Sequence, residues 1–227
     1  MSSVMITGAN RGIGFELVRE YNSEGARIFS CCRNPQSADR LKSIAAKSGG
    51  RVTIHQVDVT DPAEIAALKQ ELGPTPIDIL INNAGISDGR DAGVDYDVWE
   101  KVFRVNSIAP YRMSTAFRAN LAAGTEKKLA TISSHLGSIA DNTGGRTAYR
   151  ASKAAVNQVM KGLAAEYRSD SITVIILHPG WVRTDMGGPQ APVLPGDSAR
   201  GLKQVIAAAT LENTGKFIDY QGKELPW

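Results

Sequence analysis

Cysteine is nearly absent from this chain: the two present, Cys31 and Cys32, are adjacent. Neighbouring cysteines rarely reach the geometry of a mutual disulfide, and no second pair exists to complete a zinc site. A disulfide scaffold and a metal centre are therefore not expected, and two thiols suit a reducing compartment, the cytoplasm. Long apolar runs are missing too. No stretch approaches the roughly 18 consecutive apolar residues of a membrane span, and the opening segment, residues 2–6, lacks the basic stretch and long apolar core of a secretory signal. Charge of one sign is scarce: 26 Lys and Arg against 23 Asp and Glu leave a net +3. The basic residues form no run, which leaves no electrostatic footprint for nucleic acid. There is no Pro-, Ser- or Gly-rich linker and no internal repeat. A chain of 227 residues buries enough apolar surface to fold as one unit without staples, so residues 1–227 read as a single domain.

What is present is an alternation of short apolar runs with amphipathic stretches. Strands are expected at residues 4–7, 26–32, 52–57, 77–81, 128–134 and 172–177, with a short seventh at Phe217 and Ile218. Helices are expected at 12–23, 36–47, 61–72 (opened by an acidic cap), 96–121, 148–167 and 196–208. The strand at 172–177 is an almost unbroken β-branched and apolar run, as when both sheet faces are covered. Such alternation predicts an α/β fold of the Rossmann type, a doubly wound parallel sheet of about seven strands with helices on both faces. Ligands bind such sheets at the carboxyl ends of the strands. Residues 183–195, with Gly187, Gly188, Pro189, Pro192 and Pro195, read as a short lid over that edge.

Five constellations fall on the same edge. Thr7-Gly8-Ala9-Asn10-Arg11-Gly12-Ile13-Gly14 follows a strand and opens a helix. Gly8 permits the tight turn, Gly12 lets the backbone approach a pyrophosphate, Gly14 lets the helix sit close to the sheet, and the helix N-terminus offers donors to the anion. The second strand ends at Arg33 with no carboxylate. An acid there would bind the ribose 2′-hydroxyl of NAD, whereas an arginine pairs with a 2′-phosphate, so Arg33, helped by Arg11, points to NADP(H) in preference to NAD(H). Asp58, with Val59 after the third strand, reads either as an acceptor for the adenine amino group or as a loop and capping aspartate. Asn82-Asn83-Ala84-Gly85 leaves room for ribose and nicotinamide while its amides tie neighbouring strands. Last, Ser133-Ser134 precedes Tyr149 and Lys153, which share one helical face at a spacing of four. A free tyrosine ionises near pH 10. An ammonium about 4 Å away, at an effective dielectric near 20, is worth roughly 4 kcal/mol, enough to bring the phenol towards neutrality.

Taken in order, these motifs resemble the short-chain dehydrogenase/reductase family over nearly the whole chain. TGxxxGxG matches Thr7 to Gly14, NNAG matches Asn82 to Gly85, YxxxK matches Tyr149 and Lys153, and the turn after strand six matches Pro179-Gly180, followed by Val182 and Thr184. The resemblance implies Asn106, Ser134, Tyr149 and Lys153 as the catalytic set. It implies cofactor contacts from Gly8, Asn10, Arg11, Gly12, Ile13, Gly14, Arg33, Asp58, Val59, Asn83, Ala84, Gly85, Tyr149, Lys153, Pro179, Gly180, Val182 and Thr184. The sequence from His178 to Gly188 and the ending from Asp219 to Trp227 are similar to C-factor-like and sniffer-like carbonyl reductases. The interval from Ser134 to Tyr149 is longer than usual in the wider family, with an insertion around Asp141 to Arg146, and this leaves Ser133 and Ser134 both open as the catalytic serine.

The function this implies is NADPH-dependent reduction of a small ketone or aldehyde to an alcohol. Ser134 holds the carbonyl oxygen, Tyr149 gives the proton, Lys153 holds the nicotinamide ribose and favours ionised Tyr149, and Asn106 positions a water. Two other readings stand beside it. One is a C-factor-like signalling protein that uses the fold to sense cofactor or bind partners, a role that does not need Tyr149. The other is an NAD-linked alcohol dehydrogenase, against which Arg33 argues. His135 reads as a pocket-edge or loop residue because no acid or oxyanion hole accompanies it. His178 reads as packed. Leu136, Trp99, Trp181 and Met186 read as pocket lining or core, and Trp227 as packing on its own domain or on a neighbouring subunit. The two longest helices resemble those that build homodimers and homotetramers in the family.

Overall fold

Seven parallel strands form one sheet in the order β3-β2-β1-β4-β5-β6-β7: β1 Ser3–Thr7, β2 Arg27–Cys32, β3 Val52–Gln56, β4 Ile79–Asn82, β5 Lys128–Ile132, β6 Thr173–His178 and β7 Phe217–Asp219. The computed structural model describes residues 1–89 and 95–227. The order reverses between β1 and β4, and a crevice opens there at the strand carboxyl ends. The apolar strands have a physical reason: β1, β5 and nearly all of β6 are buried because helices cover both faces.

Two cores result. On one face, Leu17 and Val18 of α1 (Gly12–Ser23), Leu41 of α2 (Asp39–Lys47) and Leu202 of α8 (Pro195–Ala207) pack on Val4, Ile6, Ile28 and Ile175. On the other, Leu68 of α3 (Pro62–Leu72), Met113 of α5 (Ala109–Ala116) and Val156 and Met160 of α7 (Thr147–Glu166) pack on Met5, Phe29, Leu80 and Ile176. Asp61 caps α3, its carboxylate accepting from the Ala63 and Glu64 amides.

The long helix expected at 96–121 is broken, and the break has a cause. It divides into α4 (Tyr96–Phe103), a π-helical turn (Arg104–Ile108), α5 and α6 (Arg118–Ala123). The π turn gives Asn106 the offset it needs to bond elsewhere, a common use of such bulges. Pro110 stands in the first turn of α5, where its missing N–H costs least. The helix expected from residue 36 begins at Asp39 instead. Pro35 opens a short 3₁₀ turn, Pro35–Ser37, which the Asn34 side chain caps through the Gln36 amide. Strand β5 stops at Ile132, two residues short of expectation, which releases Ser133 and Ser134 to the crevice edge.

Trp227 packs back on its own fold. Its ring stacks on Phe217 at 5.7 Å, and its carbonyl accepts from the Ile139 and Ala140 amides at 2.9 and 2.8 Å. Among the described residues, no helix is long and apolar enough to cross a membrane, and no group of three or more His, Cys, Asp or Glu could hold a metal ion.

Candidate active site

A cavity of about 890 Å³ occupies the crevice. The turn from β1 to α1 forms one wall through Gly8, Asn10, Arg11, Gly12 and Ile13; Arg33 follows β2, and Asp58 and Val59 follow β3. Asn83, Ala84 and Gly85 follow β4, Tyr149 and Lys153 project from α7, and Pro179 and Thr184 follow β6. Five candidates lie outside this lining, each for a visible reason except Ser134, which sits at its edge against Tyr149. Gly14 sits beneath the turn, where an added Cβ would come within 2.3 Å of the Gly8 carbonyl oxygen. Asn106 lies behind Gly85, its Oδ1 3.4 Å from where a Cβ there would stand. Gly180 packs on the Tyr220 ring, and Val182 is buried and bridged to Val193.

The turn is held from β4. Thr7 Oγ1 accepts from the Asn83 and Ala84 amides at 3.0 and 3.1 Å, and Asn83 Nδ2 donates to the carbonyls of Thr7 and Gly8 at 2.9 and 3.2 Å. Gly8 takes a left-handed φ of +66°, which favours glycine, and a Cβ there would meet Ala84 Cα at 3.0 Å. The neighbouring Asn82 ties the sheet to α5 instead, donating to Ser114 Oγ at 3.1 Å. The cavity's volume, its open backbone turn at a helix N-terminus and its mix of polar and apolar walls are of the kind that holds a dinucleotide.

Cations gather at the far end. Arg33 lines the cavity with Arg40, which sequence reading missed because nothing in its local pattern singles it out. Arg40 stacks on Phe15 at 4.0 Å and pairs with Glu16 at 3.6 Å. Arg11 pairs with Asp185 across the cavity mouth at 2.6 Å. Asp58 Oδ1 accepts from the Thr60 amide and hydroxyl at 2.8 and 2.7 Å, so it is a turn-forming aspartate that also lines the cavity. Burial pushes its carboxyl up, but the two Thr60 hydrogen bonds and the nearby Arg33 and Lys101 charges prevail and hold it below its ordinary value.

At the other end the two serines separate. Ser133 touches the cavity, but its hydroxyl turns inward and donates to Asn157 Oδ1 at 2.5 Å. Ser134 Oγ instead accepts from the Leu136 amide at 3.2 Å and lies near enough to the Tyr149 phenol to favour its ionised form. Asn106 Oδ1 accepts from the Ile86 amide and its Nδ2 donates to the Ile86 carbonyl, both at 2.9 Å, with a further bond from Nδ2 to Ser152 Oγ at 3.0 Å.

The electrostatics of Tyr149 differ from the sequence expectation. Lys153 Nζ stands 5.7 Å from the centre of the Tyr149 ring and donates to the Ile132 carbonyl at 2.9 Å. It does not pull the phenol down. Burial pushes Tyr149 above its ordinary value, opposed by the Ser134 hydroxyl and the Arg146 charge and reinforced by Asp88. Burial also lowers Lys153 to about 8. The physical reason is shared: both groups lie deep in the wall, where desolvation outweighs an ammonium at that distance.

Of the remaining candidates, Met186 lines the cavity. Trp99 stacks on Tyr96, and Leu136 lines a separate small pocket beside the insertion. The Trp181 indole donates to the Gly187 carbonyl at 2.8 Å. His135 is half-exposed and pairs with Asp141 at 2.7 Å. His178 accepts from the His135 amide at 3.1 Å, and burial, aided by His135, lowers it to about 4.

A parallel sheet with a glycine-rich phosphate turn at its switch point, facing a buried tyrosine and lysine, defines a nucleotide-binding α/β protein. More particularly, the chain belongs to the family described as short chain dehydrogenase, which it matches over residues 2–192, and it is thereby placed among oxidoreductases. It is 43% identical over 155 residues to the C-signal of Myxococcus xanthus, covering 67% of this chain and 93% of that protein. The NADPH-bound carbonyl reductase from chicken fatty liver superposes with a TM-score of 0.91 at 32% identity, covering 100% of this chain and 99% of that one. The carbonyl reductase Sniffer of D. melanogaster does so at 0.90 and 30%, covering 100% of both. Both branches anticipated from the sequence are thus among its relatives.

Proposed function

We propose that this protein reduces a small ketone or aldehyde to an alcohol at the expense of NADPH. The observation that carries the reading is that Tyr149 and Lys153 line the same cavity as Arg33, with Ser134 acting on the phenol from the end of β5, three strands away from β2 and Arg33. Gly8, Gly12 and the N-terminus of α1 would hold the pyrophosphate, Arg33 with Arg11 the 2′-phosphate, Asp58 and Val59 the adenine side, and Asn83 to Gly85 the ribose and nicotinamide. Pro179, Gly180, Val182 and Thr184 would form the opposite wall, with residues 183–195 as a lid. A bound nicotinamide dinucleotide supplies hydride to the carbonyl carbon.

The rest belongs to the chain. Ser134 and Tyr149 hold the carbonyl oxygen, and the phenol, kept protonated by its burial, releases its proton to it. Lys153 holds the ribose. Asn106 fixes the loop after β4 and positions the water that returns the proton. Two buried free thiols are consistent with the cytoplasm. Tyr96, Ile108 and Tyr111, exposed on and beside α4 and α5, suit assembly as a homodimer or homotetramer.

The test is NADPH oxidation across a carbonyl panel. Wild type should turn over with NADPH in preference to NADH at equal low concentrations. Tyr149→Phe should lose at least about a hundredfold in kcat while binding NADPH as wild type does. Retained turnover would remove Tyr149 from its role, and equal use of NADH would remove the cofactor assignment. The similarity to C-signal supports a second reading, signalling or cofactor sensing. A protein that binds NADPH and reduces nothing on the panel would favour it.

A further inference from the structure

We propose that Arg146 is a positioning residue for Tyr149, clamping the phenol ring between the loop after β4 and the start of α7. This rests on the reductase reading of Tyr149 given above. The Arg146 guanidinium lies over the Tyr149 ring, 4.6 Å from its centre, closer than the Lys153 ammonium at 5.7 Å. Its Nη2 donates to Ser87 Oγ at 2.6 Å. The neighbouring Asp88 carboxylate accepts from the Tyr149 amide at 3.2 Å. It serves the start of α7 in place of an N-cap side chain, since Arg146 stands at that position and makes no capping bond. The loop after β4 is therefore fastened to Tyr149 twice, once at its backbone and once across its ring.

Arg146 holds this place against a backbone preference. Its φ is +48°, one of three non-glycine residues among those described with positive φ, and it directly follows Gly144 and Gly145, also at positive φ. That conformation is costly for an arginine, and it sends the side chain back over the ring. Among the described residues its Nε is buried without a hydrogen-bond partner, so stacking on the ring, charge and the bond to Ser87 hold the guanidinium there. Among the described residues, three side chains bear on the ionisation of the phenol: Ser134 after β5, Asp88 after β4 and Arg146 at the start of α7. Arg146 acts against burial and against Asp88, the part that sequence reading gave to Lys153.

The test uses Arg146→Gln, which removes the charge without easing the backbone, Arg146→Lys, which keeps the charge, and Ser87→Ala, which loosens the tether alone. The ionisation of Tyr149 is read directly as tyrosinate absorbance, each background minus the same background carrying Tyr149→Phe, with circular dichroism reporting the fold. The midpoint should rise by about half a pH unit or more in Arg146→Gln and stay near wild type in Arg146→Lys. The alkaline limb of kcat/KM should move the same way, kcat should fall several-fold in Arg146→Gln and less in Ser87→Ala, and the Kd for NADPH should hold within about twofold. A midpoint and a limb unchanged in a folded Arg146→Gln would overturn the proposal. If Arg146→Gln does not fold, a kcat and pH profile unchanged in a folded Ser87→Ala would overturn it. A wild type that reduces no carbonyl would end the reductase reading instead, and the absorbance titration, which needs no turnover, would still decide Arg146.

Discussion

Asn106 and Ile86 exchange two hydrogen bonds, each 2.9 Å long: the side-chain carbonyl accepts from the Ile86 amide and the side-chain amide donates to the Ile86 carbonyl. A side chain thus supplies to the loop after β4 what a neighbouring strand would have supplied. The π turn makes this possible by offsetting Asn106 from the α-helical register. Asn106→Ala leaves two main-chain groups and Ser152 short of a partner. A loss of about 2 kcal/mol or more in stability is expected, with at least a tenfold loss in kcat/KM as the wall beneath Gly85 loosens. Denaturant unfolding and steady-state kinetics on the same preparation check both.

Ser133 and Ser134 should separate cleanly. Ser134→Ala removes the hydroxyl that acts on the Tyr149 phenol and is expected to lower kcat about a hundredfold with little change in unfolding midpoint. Ser133→Ala leaves buried Asn157 Oδ1 without its donor, so stability should fall by about 1–2 kcal/mol with kcat within a few-fold of wild type. The reverse pattern would exchange their roles.

Lys153 is a buried charge held at a cost. Its value is lowered from 10.5 to about 8, so at neutral pH it is charged in both folded and unfolded chains and the folded state bears the full desolvation penalty, about 3 kcal/mol. As pH rises from about 8 to about 10.5 the folded state deprotonates first and the penalty fades. Lys153→Met should therefore be inactive yet more stable than wild type at pH near 7, by about 1–2 kcal/mol once the bond to the Ile132 carbonyl is subtracted. Unfolding curves at about pH 7 and about pH 10 should show that advantage shrinking at the higher pH.

His178 gives the opposite edge of the profile. Its value falls from 6.5 to about 4, so the folded state prefers the neutral ring. The contribution is fully present above about pH 6.5 and is lost as pH falls through 4, to a limit of about 3 kcal/mol. His178→Gln, which keeps an acceptor for the His135 amide, should flatten stability between those two values. An acid unfolding curve as steep as that of wild type would show that other groups carry the transition.

Periodicity made about seven strands and their parallel direction accessible, because a strand covered on both faces must be apolar throughout, as at Thr173–His178, while the order in which they lie came from the structure. The glycine turn was legible for a comparable reason: Gly14 has no alternative when a Cβ would strike the Gly8 carbonyl. The broken helix was not legible. Residues 96–121 keep a helical pattern across the break, and what shifts the register at Asn106 is Ile86, 20 residues away. Arg40, Asp88 and Arg146 escaped notice because a charged residue in a loop or helix carries no local signal of what it faces.

By itself the sequence determined the fold, the position of the glycine turn and the pairing of Tyr149 with Lys153 on one helical face, all consequences of short-range spacing and of which residues must avoid water. Only the tertiary structure decided which serine faces the phenol, that burial and not Lys153 dominates its ionisation, and that Arg146 lies closer to its ring than Lys153 does. Those outcomes depend on distances between segments far apart in the chain and on how deeply each charge is buried, and neither is written in local pattern.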